Sequence, residues 1–204
     1  MHIVAWILQS LLWVPGQVAL RFRFGYRVVG LENLKKIVSR RNGVLFVVNH
    51  RTQLDPVFVA AILPFFSLLR PMHFMSLPPA EYAHLPFGRH IYGGFLFKIF
   101  GAYPAYRGLK DYEVALRHHI RLLKEGKSVC IFPEGGITKH PEGKPQKARP
   151  GVAYLAKRTG AVIVPVALTG IKKIEVRIGE PFVSSGEDEH RIMDHVVTLG
   201  GYGA

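Results

Sequence analysis

Short runs of consecutive apolar residues alternate with amphipathic stretches along most of the chain. The apolar runs are rich in valine and isoleucine, which is typical of strands that are buried on both faces. They predict strands at 44–48, 73–77, 102–106, 128–132, 162–168 and 174–178, with a further short strand near residue 28. The stretches between them predict helices at 56–69, 87–100, 110–125 and 151–159. Strands separated by helices indicate an α/β fold, with a mostly parallel central sheet flanked by helices.

The first 27 residues follow a different pattern, because residues 3–20 carry no charge. This segment contains Trp6 and Trp13, and three arginines follow it at positions 21, 23 and 27. Its length is close to the minimum for a membrane-spanning helix, although Pro15-Gly16 interrupts it. We therefore expect an N-terminal membrane-anchoring helix, or a helical hairpin bent at Pro15-Gly16, that lies in one leaflet with its arginines at the headgroups.

A single membrane-spanning helix is the alternative interpretation of this N-terminal segment. A buried core helix fits less well, because tryptophans followed by arginines are typical of a membrane interface. The sequence thus predicts two parts, a membrane-anchoring segment over residues 1–27 and one folded domain over residues 28–204. A chain of 204 residues is long enough to form one domain with a sizeable core.

The charge balance points to an anionic partner. The chain has 27 Lys and Arg against 14 Asp and Glu, a net charge of +13. Such an excess suits a nucleic acid, a phosphorylated small molecule or an acidic bilayer surface. No recognised nucleic-acid-binding motif accompanies the charge, so nucleic acid is disfavoured.

Cysteine usage excludes two kinds of site. Cys130 is the only cysteine, so the chain has no disulfide framework and no metal site built from four thiolates. It lies inside an apolar run, where we expect a buried structural thiol rather than a nucleophile. A single reduced cysteine fits a cytoplasmic setting.

Candidate catalytic residues stand where the strand at 44–48 ends. His50 leaves the strand, and five residues later Asp55 precedes Pro56, which suits the first turn of a helix. In a strand–loop–helix arrangement, the Asp55 carboxylate can fold back onto one ring nitrogen of His50 and fix its tautomer. The other ring nitrogen is then free to accept a proton. Taken alone, this spacing is equally compatible with a polar strand end and a simple helix cap.

Two other predicted strands also end in polar residues beside glycine. Glu134 leaves the strand at 128–132 and is followed by Gly135 and Gly136, whose backbone N–H groups a ligand can approach closely. Arg107 follows the strand at 102–106, where a planar guanidinium can bind one phosphate through two hydrogen bonds. Because sites in such sheets gather beyond the strand ends, these groups predict one shared cleft.

A basic segment follows the two glycines. Residues 139–149 include Lys139, Lys144, Lys147 and Arg149, together with two prolines and a glycine. This composition predicts a mobile loop that closes over an anionic substrate. A plain solvated loop is the alternative interpretation.

Taken in order, these segments resemble the glycerophospholipid acyltransferase family, and within it the 1-acylglycerol-3-phosphate acyltransferases. The resemblance covers residues 28–183 and rests on four ordered blocks. Asn49, His50 and Asp55 match the first block, Asn/Ser-His-x4-Asp. Residues 132–138 correspond to the third block, Phe-Pro-Glu-Gly-Thr-Arg-Ser.

The other two blocks are matched less closely or are shorter. Arg107 corresponds to the arginine that ends a strand in the second block, although Tyr106 stands where the family often has Asp or Asn. Residues 164–167 match the fourth block, Val-Pro-Val-Ala. One departure concerns the third block, because its usual arginine is Ile137 here. Either Lys139 or Arg149 replaces that cation, or the acceptor differs from lysophosphatidic acid.

The resemblance implies direct acyl transfer from a thioester to a lipid hydroxyl. His50, oriented by Asp55, would deprotonate the acceptor hydroxyl as it attacks the thioester carbonyl. A main-chain N–H group of Gly135 or Gly136 would stabilise the oxyanion. The residues expected to bind the substrates are these two glycines together with Arg107, Glu134, Thr138, Lys139, Arg149 and Pro165. No metal and no cofactor is required.

The same resemblance implies the partners. The donor substrate would be acyl-CoA or acyl-carrier protein, and the acceptor a lysophospholipid, in the first instance 1-acylglycerol-3-phosphate giving phosphatidic acid. The enzyme would act at the bilayer, on the cytoplasmic face of the plasma (inner) membrane. One alternative is the same chemistry on glycerol 3-phosphate, another lysophospholipid or an amino-lipid. Another is a catalytically silent protein that binds anionic lipid.

Overall fold

The computed structural model describes residues 2–37, 41–82, 95–106, 108–140, 142–170 and 172–203. The strands within these ranges are β1 (Arg27–Val29), β2 (Val44–Val48), β3 (Met72–Ser76), β4 (Ala102–Pro104), β5 (Ser128–Ile131), β6 (Val162–Thr169), β7 (Glu175–Ile178) and β8 (Phe182–Val183). The α-helices are α1 (His2–Leu11), α2 (Trp13–Phe24), α3 (Asp55–Ala60), α4 (Phe95–Ile99), α5 (Tyr112–Ala115), α6 (Arg117–Lys124), α7 (Gly151–Thr159) and α8 (Glu189–Gly200). Short 3-10 helices occupy Leu31–Lys36 and Pro79–Tyr82.

All eight of these strands form one mixed sheet, in the order β1-β7-β6-β2-β5-β3-β4, with β8 also paired to β6. Neighbours are parallel except β7 and β8, which both run antiparallel to β6. The expected α/β fold with flanking helices is therefore present, and the sheet is mixed. The antiparallel pairing of β6 and β7 follows from the short connection at 170–174, because parallel neighbours need a longer crossover.

The central strand β2 shows why the predicted strands are continuous apolar runs without alternating polar residues. Phe46 packs on one face of the sheet with Phe58 of α3, whereas Leu45 packs on the other face with Leu155 of α7. Every side chain of β2 is buried, because helices cover both faces of the sheet. The first face carries α2 and α3, and the second carries α6, α7 and α8.

Several predicted helix bounds were wrong. The helix predicted at 56–69 ends at Ala60. Pro64 lies in the turns that follow, and its ring disfavours helical geometry at the residue before it. The helix predicted at 110–125 is divided at Leu116 into α5 and α6. The helix predicted at 87–100 lies within the described residues only as Phe95–Ile99. By contrast, α7 begins and ends as predicted.

The N-terminal segment forms two helices that meet at Leu12 with a bend of 50°. The bend predicted at Pro15-Gly16 is therefore misplaced by three residues. Pro15 lies in the first turn of α2, where its missing N–H costs no helical hydrogen bond, so the break precedes it. Within the described residues, no single helix is long and apolar enough to cross a membrane. The bent pair of α1 and α2 together has the required length and composition.

One face of α1 and α2 is bound to the rest of the domain by polar side chains. Gln9, Trp13 and Gln17, each four residues apart, donate hydrogen bonds to the carbonyl oxygens of Met72 (2.7 Å), Leu63 (2.9 Å) and Ala61 (2.6 Å). A four-residue spacing places them on one face of the helices. The apolar side chains of α1 and α2 that are exposed outside the cavity, which we call the outer face, are Ile3, Val4, Trp6, Ile7, Leu11, Val14, Val18 and Phe22.

Candidate active site

The candidate site lies at the carboxyl end of β2, where the chain turns into α3. His50 is the second residue after the strand, and Asp55 is the first residue of α3. The Asp55 carboxylate folds back over this turn, and its Oδ2 lies 2.9 Å from His50 Nδ1. Asp55 does not cap α3 itself, because the N-cap position belongs to Leu54, which makes no side-chain cap bond.

Asp55 is held by several donors, and this fixes the state of the imidazole. Its carboxylate accepts hydrogen bonds from the N–H groups of Arg51 and Thr52 and from Thr52 Oγ1 at 2.7 Å. A carboxylate surrounded by donors acts only as an acceptor, so the bonded Nδ1 of His50 carries a proton. The neutral ring then keeps its lone pair on Nε2, the nitrogen left for a substrate.

The segment after β5 supports His50 from the other side. Glu134 accepts hydrogen bonds from the His50 N–H and the Gln146 N–H, both at 2.7 Å, and the Thr138 N–H donates to the His50 carbonyl oxygen at 2.7 Å. The His50 ring also stacks on Phe132, with 4.2 Å between ring centroids. Burial raises the pKa of Glu134, and the two N–H donors oppose that effect. Asp55 and Phe132 thus hold the imidazole, whereas Glu134 and Thr138 hold the main chain of His50.

Gly135 is required by a close approach of Arg149. Its φ of +71° is in the left-handed region, and a Cβ there would lie 2.5 Å from Arg149 Nε. The Arg149 Nε–H instead donates to the Glu134 carbonyl oxygen at 3.2 Å. The next residue, Gly136, has open space where a Cβ would stand. A ligand can therefore come close to the backbone of Gly136.

A cavity of about 1120 Å³ begins at His50 and extends below α1 and α2. Residues at its far end include Gln9, Arg70 and Phe74, and most of its wall is apolar.

A profile of the acyltransferase family matches residues 25–169 of the chain. The chain belongs to the acyltransferase family. The protein LPAT1 of Arabidopsis thaliana, a chloroplastic 1-acyl-sn-glycerol-3-phosphate acyltransferase, is 25% identical over 159 residues, which are 78% of this chain and 40% of LPAT1. A 1-acyl-sn-glycerol-3-phosphate acyltransferase of Borreliella burgdorferi is 28% identical over 142 residues, 69% of this chain and 50% of that protein.

The chain spans about half the length of those curated relatives. Among solved structures it is similar to PlsC of Thermotoga maritima, a 1-acyl-sn-glycerophosphate acyltransferase. The TM-score is 0.65 at 21% identity, and the match covers 97% of this chain and 78% of the other. At this level of identity the similarity establishes a shared fold.

The structure brings together some of the predicted site residues of the acyltransferase. Gly135, Gly136 and Arg149 line the cavity together with His50. Four other predicted ligands are not among its described lining residues, namely Glu134, Thr138, Lys139 and Pro165. Glu134 and Thr138 bind the main chain of His50 instead, and Pro165 lies in the middle of β6. Arg107 falls outside the described residues.

Sequence reasoning missed Lys110 and the cavity role of Ile137. Both residues line the cavity, and so do Tyr106 and Leu109. The signal for Lys110 was its place three residues after Arg107, in a glycine-flanked segment beyond β4. Ile137 places an apolar group where the family block has a cation.

Proposed function

We propose that this protein is a membrane-associated 1-acylglycerol-3-phosphate O-acyltransferase. It transfers a fatty acyl group from a thioester to the free hydroxyl of lysophosphatidic acid and produces phosphatidic acid. The observation that carries the proposal is the His50–Asp55 pair, at 2.9 Å, on the wall of a long apolar cavity. Family membership and the names of the matched relatives support the same reaction class.

The reaction is a direct transfer. His50 Nε2 takes the proton of the acceptor hydroxyl while the hydroxyl oxygen bonds to the thioester carbonyl carbon. Asp55 stabilises the imidazolium that forms, because its carboxylate already accepts from Nδ1. The tetrahedral intermediate then collapses, the C–S bond breaks, and the leaving thiolate takes the proton from the imidazolium. The Gly136 N–H is the candidate donor to the oxyanion.

Cavity dimensions suit an acyl chain. Most of the described lining of the cavity is apolar, and its volume of about 1120 Å³ leaves room for a long hydrocarbon chain. Such a chain would lie there with its thioester carbonyl at His50. The chain in the cavity comes from the donor, either acyl-CoA or acyl-carrier protein.

The acceptor is bound at the mouth of the cavity by the cations near His50. Arg149 and Lys110 both line the cavity and supply positive charge for a phosphate. The outer face of α1 and α2 supports membrane attachment, because its apolar side chains are exposed and Arg21 and Arg23 end α2. Attachment at the cytoplasmic face of the inner membrane would place the mouth beside the headgroups, where a lysolipid resides.

Product analysis with the unmodified full chain tests this proposal. Protein in detergent or lipid is supplied with lysophosphatidic acid and either acyl-CoA or acyl-carrier protein, and the lipids are identified by mass spectrometry. We expect phosphatidic acid that carries the donor's acyl chain. Binding of lysophosphatidic acid with no turnover on either donor would instead indicate a silent lipid-binding protein.

Ile137 favours a second candidate function, acyl transfer to a different acceptor. Its side chain lines the cavity at the position where the family block has an arginine, so less charge is available for a phosphate. The test compares lysophosphatidic acid with glycerol 3-phosphate, other lysophospholipids and amino-lipids, in the unmodified protein and in Ile137→Arg. A gain for lysophosphatidic acid alone in the variant supports a different natural acceptor. Unchanged preference removes this position from acceptor selection.

A further inference from the structure

The turns after α3 expose large apolar side chains to solvent. Residues 64–68 form a short projection, which we call the Phe66 tip. Phe66 is 90% exposed and Leu68 is 78% exposed, and the neighbouring Phe65 is 37% exposed. An apolar patch of this kind on a protein surface marks an interaction site.

The Phe66 tip is held in a defined position. Within it, the Ser67 N–H donates to the Pro64 carbonyl oxygen at 2.9 Å, and the Arg70 N–H donates to the Ser67 carbonyl oxygen at 3.2 Å. The Arg70 guanidinium lies over the Phe65 ring, 5.6 Å from its centroid. A patch that is fixed by hydrogen bonds and ring contacts is suited to recognition.

The same contacts join the tip to the break between α1 and α2. The Phe65 ring meets the Trp13 ring edge to face at 5.8 Å. Arg70 Nη2 donates to Ser10 Oγ at 3.2 Å. The tip is therefore held against the break between α1 and α2, where Leu11 is exposed. This apolar surface, made up of the tip and the outer face, comes from two separate parts of the chain.

The positive charge of the protein favours a bilayer, rather than a second copy of the chain, as the binding partner of this surface. Arg21 and Arg23 lie at the end of α2, and the whole chain carries a net charge of +13. Two copies repel each other at such a charge, whereas anionic headgroups attract it. An apolar centre with arginines at its edge matches the acyl and headgroup layers of one leaflet.

We propose that the Phe66 tip is a second membrane-inserting element, which enters the acyl layer of the same leaflet as α1 and α2. The proposal rests on the proposed function only for the membrane location and is independent of the chemistry. Insertion of the tip would affect how the protein is oriented on the membrane. The tip follows only four residues after the end of α3, the helix that begins at Asp55. Insertion at two places fixes the height of the cavity mouth above the headgroups.

A site-directed probe tests the position of the tip. The variant Phe66→Cys is labelled with an environment-sensitive fluorophore, which is specific because the natural Cys130 is completely buried. The full chain is mixed with vesicles of anionic and zwitterionic phospholipid, with or without brominated acyl chains. We expect a blue-shifted emission that brominated lipid quenches. The matched control is Val114→Cys, an exposed position on α5, whose emission should not change.

Two results would overturn the proposal. In one, the protein sediments with the vesicles but the emission does not shift. In the other, the protein does not sediment with the vesicles. A second variant, Phe66→Asp with Leu68→Asp, should weaken vesicle binding at least about tenfold. Its mass in detergent should be unchanged, because a smaller complex would show that the tip binds another copy. Turnover of a short-chain, water-soluble lysophosphatidic acid should be retained. Absence of that turnover in the unmodified protein defeats the proposed function and leaves the probe result intact.

Discussion

The helices on the two faces of the sheet are built in opposite ways. On the second face, α6 buries Ile120 and Leu123 against the sheet and exposes Arg121 and Lys124. On the first face, α1 and α2 turn glutamines and a serine toward the protein and leave the apolar outer face uncovered. An ordinary amphipathic helix has its apolar side inward. The reversal in α1 and α2 indicates that the two sides of the molecule meet different surroundings.

The proposed catalytic pair, His50 and Asp55, belongs to the first face. Asp55 begins α3, and the residues just after α3 accept hydrogen bonds from Trp13 and Gln17 of α2. The layer that we propose to meet the membrane is thus joined directly to the helix that orients His50. The second face contributes core packing through α6, α7 and α8. The comparison predicts that changes on the two faces have separable effects.

Truncation of one core side chain on each face should have the largest effect. Phe58→Ala in α3 and Leu155→Ala in α7 each remove a completely buried side chain and should lower the free energy of unfolding by about 3–4 kcal/mol. Only Phe58→Ala should also reduce turnover, because its helix carries Asp55. Both quantities are measured in detergent, with turnover assayed where each variant is folded. Equal loss of turnover in the two variants would contradict the division between the faces.

Charges on the outer face should have the next largest effect. The variant Ile7→Asp, Leu11→Asp, Val14→Asp should reduce vesicle binding at least about 100-fold, because aspartate is strongly disfavoured in hydrocarbon. Lys157→Asp on the second face reverses a charge without touching this surface. It should change binding by much less, and only through long-range electrostatics. The measurement is co-sedimentation with vesicles, and similar losses in both variants would remove the outer face as the membrane contact.

The smallest predicted effect near neutral pH is an acid sensitivity of two buried histidines. Burial lowers the pKa of His73 and of His119 to about 4. Both values lie below the ordinary value of 6.5, so as the pH falls through this window protons bind the unfolded chain first. Stability should fall between about pH 6.5 and 4, by up to about 1.4 kcal/mol per pH unit for each histidine.

Denaturant unfolding at several pH values measures this slope. His119→Gln should remove about half of the dependence on pH, because His73 still titrates. The control is Val114→Thr, an exposed position on α5 without a titratable group, which should leave the slope unchanged. An unaltered slope in His119→Gln would show that this histidine does not carry the effect.

Most strands could be predicted because their residues are buried on both sides. The strand predicted at 44–48 has the same bounds as β2. Because β2 lies between β5 and β6 and all five of its side chains are buried, its sequence is a continuous apolar run. The antiparallel β8 was missed, because it has only two residues and pairs at the edge of β6. A run of two residues is too short to show the pattern of a strand.

Within the candidate site, a local pair could be predicted and a distant set could not. The His50–Asp55 contact joins residues five apart across one turn, so their spacing was informative. Glu134 binds the His50 N–H across 84 residues, and only the folded chain shows that it supports the imidazole. The predicted mobile loop at 139–149 is likewise partly held in place, because the Gln146 N–H donates to Glu134 and Arg149 binds the Glu134 carbonyl oxygen.

The most direct measurement for the whole account is the turnover of His50→Ala and Asp55→Asn beside the unmodified acyltransferase. Loss of a general base should reduce kcat about 10³-fold in His50→Ala, and loss of its orienting carboxylate about 10²-fold in Asp55→Asn. Vesicle binding and circular dichroism should match the unmodified protein. Turnover within tenfold of the unmodified protein in His50→Ala would contradict the assignment of this imidazole as the base.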